Sequence, residues 1–275
     1  MKRPQQQSFQ WGACTDCGRV RLQNEDAYAV DLENAMIVVS DGIGGSDGGA
    51  QASEIVVRML PQMFANRLRV LSSPTDEGLR SVLRSAVSDL SDQLYAKTNG
   101  LPGRHSMGAT VVAVVIRHAL IHVVHMGDSR AYLLHAGQLK RMTADHSIVG
   151  ILERRHEISC EEARHHVARG QLTRFVGMAL PALPDVLSVP VEEGDRTLLC
   201  TDGLTATMDD DAVAAILRKG TAPQDMAAEL VAAAITAGSQ DNVTALVLDW
   251  CRQPSPVRPS APEPGGYGAS GATPA

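Results

Sequence analysis

Aromatic side chains are scarce in this chain: two Trp, four Tyr and three Phe, 3% of 275 residues. With 44% of the residues hydrophobic, a sizeable core is still available, and it must be built from Val, Leu, Ile, Ala and Met. Basic blocks are missing and the formal net charge is −6, which argues against nucleic acid and anionic membranes as main partners. An acidic balance instead suits a protein that gathers cations. No apolar run approaches the roughly 20 residues of a membrane span, the stretch Thr110 to Ile116 being strand-sized. The start, Met1-Lys2-Arg3-Pro4-Gln5-Gln6-Gln7, carries charge with no apolar stretch behind it, so no signal peptide is expected. The five cysteines are odd in number and scattered, and read as reduced thiols of a cytoplasmic protein. Cys14 and Cys17 form C-x-x-C without the second pair that a zinc site needs. Gly44, Gly45, Gly48 and Gly49 form a Gly-rich loop, but no G-K-[ST] follows to make it a nucleotide cradle.

What is present is a recurring pattern. The β-branched run Met36 to Val39 ends in Ser40-Asp41-Gly42, and Leu198-Leu199-Cys200-Thr201 ends in Asp202-Gly203. Val123 to Met126 runs into Gly127-Asp128, and Asp241-Asn242 leads into Val243 to Val247. A single Asp-Gly after a strand is a hairpin turn. Four carboxylates at strand ends from distant parts of the chain converge if the strands lie in adjacent sheets, and carboxylates converging without a Lys among them need a cation.

Residues 10–15, 27–30, 36–40 and 111–116 read as strands, and the closely spaced strands from Val111 to Met142 argue for antiparallel sheet over βαβ units. Helical spacing covers Ala50 to Leu71, which Pro61 is expected to kink or interrupt, and Asp76 to Thr98. Further strands are expected at 185–191, 197–201 and 242–250, and helices at 209–219 and 223–237. Between them the segment His146 to Gly170 is rich in Arg, Glu and His, with a helix start at Ser159, and reads as a mobile flap. Length admits one large or two small domains, with 1–252 expected as the folded part, and the Pro, Gly, Ser and Ala of 253–275 read as a disordered tail without a catalytic role.

The acidic set is Glu25, Asp26, Asp41, Asp128, Asp202 and Asp241. Hard divalent cations such as Mg²⁺ and Mn²⁺ take oxygen ligands, whereas Zn²⁺ prefers nitrogen and sulfur. Arg21, five residues before Asp26, offers a guanidinium fork for phosphate oxygens, the plainer alternative being an ion pair with a neighbouring carboxylate. Asp128 has an equally plain alternative as a hairpin residue paired with Arg130. Asp145-His146 reads as an acid–base pair or as a brace that caps the flap helix and fixes its loop. His156, His165 and His166 read as a solvated face before a metal site.

In this order the motifs carry a resemblance. Arg21-Leu22-Gln23-Asn24-Glu25-Asp26, Asp41-Gly42-Ile43-Gly44-Gly45, Gly108-Ala109-Thr110, Gly127-Asp128-Ser129-Arg130, Thr143-Ala144-Asp145-His146, Thr201-Asp202-Gly203 and Asp241-Asn242 together resemble the PP2C (PPM) metal-dependent serine/threonine phosphatases, most of all the bacterial branch. Each motif alone is weak; the ordered set, from residue 18 to 249, is specific. The resemblance implies an α+β fold, a four-layer α/β/β/α sandwich of two mainly antiparallel sheets flanked by helices. It implies two Mn²⁺ or Mg²⁺ ions, with Asp41 bridging them and serving catalysis, Gly42 giving its carbonyl to one, and Asp202 and Asp241 completing the other. Glu25 and Asp26 would act through waters, Asp128 would support a third ion, and Arg21 would bind the substrate phosphate. The implied reaction is hydrolysis of phosphoserine and phosphothreonine by direct attack of a metal-bridging hydroxide.

Two departures stand out. Ile43 occupies the place where eukaryotic members commonly carry a His proposed to protonate the leaving alcohol, so that role would pass to a metal-bound water. Ala109 replaces the hydroxyl usual in the middle of Gly-Thr-Thr, a tolerable change. Implied partners are phosphorylated proteins, among them Ser/Thr kinases and their substrates, and the protein is expected to be a monomer. The readings that compete are a catalytically silent phosphoprotein-binding pseudophosphatase, against which the intact acidic set argues, and a phosphatase of other phosphoesters on the same site.

Overall fold

The computed structural model describes residues 8–44, 48–71, 75–98, 107–117, 119–179 and 181–251. The expected tail, 253–275, lies outside the described residues, as does Gly45 of the Gly-rich loop. In chain order the elements are β1 (Ser8–Asp16), β2 (Asp26–Asp31), β3 (Met36–Ile43), α1 (Gly48–Leu68), α2 (Asp76–Thr98), β4 (Gly108–Ala109), β5 (Val111–Arg117), β6 (Leu120–Met126), β7 (Arg130–His135) and β8 (Gln138–Arg141). There follow α3 (Ile148–Arg154), α4 (Cys160–His165), β9 (Asp185–Pro190), β10 (Arg196–Cys200), α5 (Asp202–Thr205), α6 (Asp210–Leu217), α7 (Pro223–Thr236) and β11 (Val243–Cys251). One sheet has the order β1-β11-β10-β7-β8 and the other β2-β3-β5-β6-β9, with β4 beside β3. Every strand pairing is antiparallel.

Side-chain alternation explains why strands of antiparallel sheets read as continuous apolar runs. Successive residues point to opposite faces, and both faces of both sheets are covered. In β3, Ile37 and Val39 enter the layer between the sheets with Val112, Val114, Leu199 and Leu246. Their neighbours Met36 and Val38 turn outward to Val56, Leu60 and Phe64 of α1 and Leu83 and Leu90 of α2. In β11, Leu246, Leu248 and Trp250 face inward, while Val243, Ala245 and Val247 meet Val213 and Leu217 of α6 and Met226 and Leu230 of α7. The result is the α/β/β/α sandwich. Each of these aliphatic side chains contributes about 1.5–3 kcal/mol on burial, so three contiguous layers of them anchor the strand ends firmly.

Pro61 does not interrupt its helix: α1 runs through it, and Pro61 is itself buried beside Leu60 and Phe64. Packing of that face on β3 offsets the lost backbone hydrogen bond. The helix ends at Leu68, short of the expected Leu71. Among the described residues, no helix is long and apolar enough to cross a membrane.

Candidate metal centre

The sandwich brings the acidic strand ends together. Asp26 opens β2 and is the direct register partner of Asp41 near the end of β3. Asp202 lies two residues past the end of β10, as the first residue of α5, Asp241 lies two residues before β11, and Asp128 sits in the turn from β6 to β7, the connection that passes from one sheet to the other. The end of β3 is held by Thr110, whose hydroxyl accepts the Asp41 N–H at 2.9 Å and whose own N–H donates to the Asp41 carbonyl at 2.8 Å. The neighbouring Ala109 is fully buried and pairs through its backbone with Val176, so no hydroxyl is needed there.

The glycine after each Asp has a steric cause. A Cβ on Gly42 would collide with the backbone of Gly49 in the first turn of α1, and one on Gly203 with the backbone of Asn242. Gly42 donates its N–H to the Glu25 carbonyl at 3.1 Å, and Ser53 of α1 donates its hydroxyl to the same oxygen at 2.5 Å. Asn242 gathers the opposite rim: its amide oxygen accepts from Glu25 N at 2.8 Å, and its amide nitrogen donates to the carbonyls of Cys17 and Gln23. The loop bearing Arg21, Glu25 and Asp26 is thereby fastened to the loop bearing Asp241.

Electrostatics identifies what the cluster is suited to hold. Withdrawal from water, then repulsion by Asp26, Asp202, Asp128 and Asp241, holds the Asp41 carboxyl well above its ordinary range. Burial and the Asp202 charge do the same to Asp128, and burial and the Asp241 charge raise Asp202. Asp26 is pushed up to about 7 by burial, against the hydrogen bonds that Thr201 and Thr244 donate to its Oδ2 at 2.8 and 2.7 Å. Asp26 Oδ1 and Asp202 Oδ1 are buried without a hydrogen-bond partner. Orphaned carboxylate oxygens that repel one another fit bound divalent cations, and an all-oxygen donor set fits Mg²⁺ or Mn²⁺.

Arg21 stands at the rim, half exposed, and donates to Asp241 Oδ2 at 2.7 Å. The structure therefore contains the ion pair, and it sets the guanidinium beside the carboxylates. Arg130 pairs with Asp145 rather than with Asp128, through contacts of 3.1 and 2.8 Å, and Arg141 joins the same carboxylate at 2.5 Å. Asp145 thus braces the start of the 146–173 insert, while the helix cap itself is Ser147, which accepts from Gly150 N. His156, His165 and His166 form no ligand cluster; among the described residues the group that comes together is His125, His146 and Asp185, within 4.8 Å. A cavity of about 340 Å³ lies between the insert and α5–α6, reaching Asp128 and Asp202.

Sequence reasoning did not assign the hydroxyls of Thr201, Thr244, Thr110 and Ser53 or the clamp made by Asn242. The signal was present: each hydroxyl except Ser53 lies within two residues of a singled-out Asp, Asn or Gly.

A cleft of buried carboxylates at the ends of two stacked antiparallel sheets, rimmed by an arginine, defines a class of cation-dependent phosphoryl hydrolases. The chain belongs to the protein phosphatase 2C family, whose model matches residues 15–234. It is 33% identical over 239 residues to the serine/threonine phosphatase Stp of Listeria welshimeri, covering 86% of this chain and 93% of that one. Among solved structures, the S. agalactiae serine/threonine phosphatase superposes with a TM-score of 0.81 at 27% identity, covering 88% of this chain and 99% of that one. The catalytic domain of the serine/threonine protein phosphatase PstP, solved in complex with two manganese ions, superposes with a TM-score of 0.74 at 28% identity, covering 90% and 100%.

Proposed function

We propose that the cleft hydrolyses phosphoserine and phosphothreonine on proteins, with two Mn²⁺ or Mg²⁺ ions held by Asp41, the Gly42 carbonyl, Asp202 and Asp241. Asp128 would hold a third ion, and Glu25 and Asp26 would act through waters. The observation that carries this reading is the set of mutually repelling carboxylates with orphaned oxygens next to the Arg21 guanidinium. Cations there supply Lewis acidity toward the phosphoryl group and lower the pKa of water.

The chain's own groups do the rest. Arg21 exchanges its Asp241 contact for two phosphate oxygens and orients the phosphoryl group toward Asp41. Thr201 and Thr244 hold one oxygen of Asp26, leaving the other to position water in the cleft. Ile43 brings no proton to the leaving alcohol. Residues 1–252 act as the catalytic domain, with the flap at 146–170 facing the substrate across the cavity.

Partners are phosphorylated proteins, including Ser/Thr kinases and their substrates, met by a cytoplasmic monomer. The free state of all five cysteines supports a reducing compartment. The test is a substrate panel with Mn²⁺. kcat/KM for phosphothreonine and phosphoserine peptides should exceed that for phosphotyrosine peptides and small phosphoesters by about tenfold or more. Equal rates across the panel would favour a general phosphoesterase.

A further inference from the structure

His146 is completely buried at the base of the insert, and its polar groups reach in two directions. Toward the cleft, its N–H donates to the Gly127 carbonyl at 2.9 Å, and its ring Nδ1 accepts the Gly127 N–H at 3.2 Å. Both backbone groups of Gly127 are thus held by one residue. Toward the insert, the His146 carbonyl accepts N–H bonds from Thr173 at 2.8 Å and Arg174 at 3.4 Å. Its Nε2 bonds Asp185 Oδ2 at 3.1 Å, while Arg174 grips the other oxygen of Asp185 at 3.0 Å.

The tautomer follows from the partners. A backbone N–H can only donate, so Nδ1 carries the lone pair and Nε2 the proton that goes to Asp185. Both ring nitrogens of His146 are committed, so His146 and Asp185 form a hydrogen-bonded latch, against which the His125 imidazole stacks at 4.5 Å while its own Nε2 bonds the Ala144 carbonyl.

Gly127 is tight on its other side as well. Its φ is +120°, and a Cβ there would come within 2.6 Å of the Thr110 side chain. Thr110 in turn shares a 2.7 Å hydroxyl contact with Ser129 and accepts the Asp41 N–H. Asp128 therefore lies between two clamps: Thr110, which belongs to the Asp41 strand end, and His146, which belongs to the insert.

We propose that His146 is a positioning residue that couples the base of the insert to Asp128, so that the seating of the insert sets the placement of that carboxylate in the cleft. The proposal rests on the phosphatase reading for its effect on turnover, but not for its effect on structure and cation binding. A shift of Thr173 and Arg174 tilts the imidazole, and the imidazole carries Gly127 with it.

Three variants separate the roles. His146→Asn keeps an acceptor near Nδ1 but loses the reach to Asp185. His146→Gln reaches toward Asp185 but lacks the acceptor, and His146→Phe keeps a ring with neither. Each is measured by Mn²⁺ titration calorimetry, by amide exchange of residues 127–129 and 146–174, and by turnover of a phosphothreonine peptide. In His146→Phe and His146→Gln the weakest Mn²⁺ step should weaken about tenfold, residues 127–129 should lose protection, and kcat should fall by about the same factor. His146→Asn should bring Mn²⁺ affinity and kcat back to within about threefold of wild type while the insert itself stays loosened. If His146→Phe fails to fold, the Asn and Gln pair decides. Wild-type Mn²⁺ affinity and turnover in His146→Gln, or His146→Asn no better than His146→Gln, would overturn the coupling. A wild-type protein that binds Mn²⁺ but leaves the peptide intact would defeat the phosphatase reading alone, since calorimetry and exchange still decide the coupling.

Discussion

Asp41, Asp202 and Asp241 stand at or beside the ends of strands that are buried on both faces, whereas the 146–173 insert is attached to the sheet mainly by polar contacts at its base. The strand ends inherit their rigidity from three apolar layers. The insert contributes few buried side chains, Val149, Ala163 and Ala168 among them, and leaves Val167 92% exposed. The insert faces Asp202 and Asp128 across one cavity. The proposed function assigns reaction chemistry to the region that cannot move without unfolding, and substrate choice to the region that can open at low free-energy cost.

The sharpest way to break this contrast is to remove a cleft carboxylate. Asp41→Asn and Asp202→Asn should each lower kcat by about three orders of magnitude or more, several kcal/mol of transition-state stabilisation. The metal-free Tm should stay level or rise, because a buried repulsion is removed. A melting curve measured in chelator beside the rate decides it; a large fall in Tm would make the carboxylate structural.

Proton linkage gives the next largest effect. The folded-state pKa of Asp26 is raised, so its contribution to stability is present at low pH and is lost as pH rises through about 7. The shift corresponds to on the order of 4 kcal/mol in the metal-free protein. In chelator, Tm should therefore fall from pH 5 to pH 8 by roughly 5 °C or more, and Mn²⁺ should remove the fall. A metal-free Tm that climbs over that range would reverse the sign.

Arg21 sits on the boundary of the contrast, chemically part of the cleft but half exposed. Arg21→Ala should raise KM for a phosphopeptide about tenfold and lower kcat less. Unchanged KM would leave Arg21 as a partner of Asp241 only.

The smallest effect belongs to the insert. Arg154 is a poor probe of recognition, since it donates to the Asp145 carbonyl at 2.8 Å and its loss loosens the base. Arg164 lines the cavity. Arg164→Ala should change kcat/KM on phosphoproteins about fivefold, roughly 1 kcal/mol, and leave p-nitrophenyl phosphate within about twofold. Equal losses on both would tie the insert to the chemistry itself.

The two regions were also unequally legible in the sequence. Cleft residues announce themselves locally: an apolar run, a hydroxyl and Asp-Gly lie side by side at Asp41 and at Asp202, and these two motifs keep a fixed order with five others. Strand ends and helix faces followed from the same local patterns. An interruption at Pro61 does not occur, because the packing that carries α1 through it is tertiary. The short helix α5, which begins at Asp202, has no sequence signal, since four residues carry no period. The insert's anchoring was hidden for a further reason: His125, His146, Arg174 and Asp185 meet only after folding, and no motif joins them.

The most direct test of the central claim is turnover of a phosphothreonine peptide by the wild-type protein, first in EDTA and then across a Mn²⁺ titration. The carboxylate centre predicts no turnover in chelator and its recovery with Mn²⁺, with Mg²⁺ also effective. Full turnover in EDTA would contradict it.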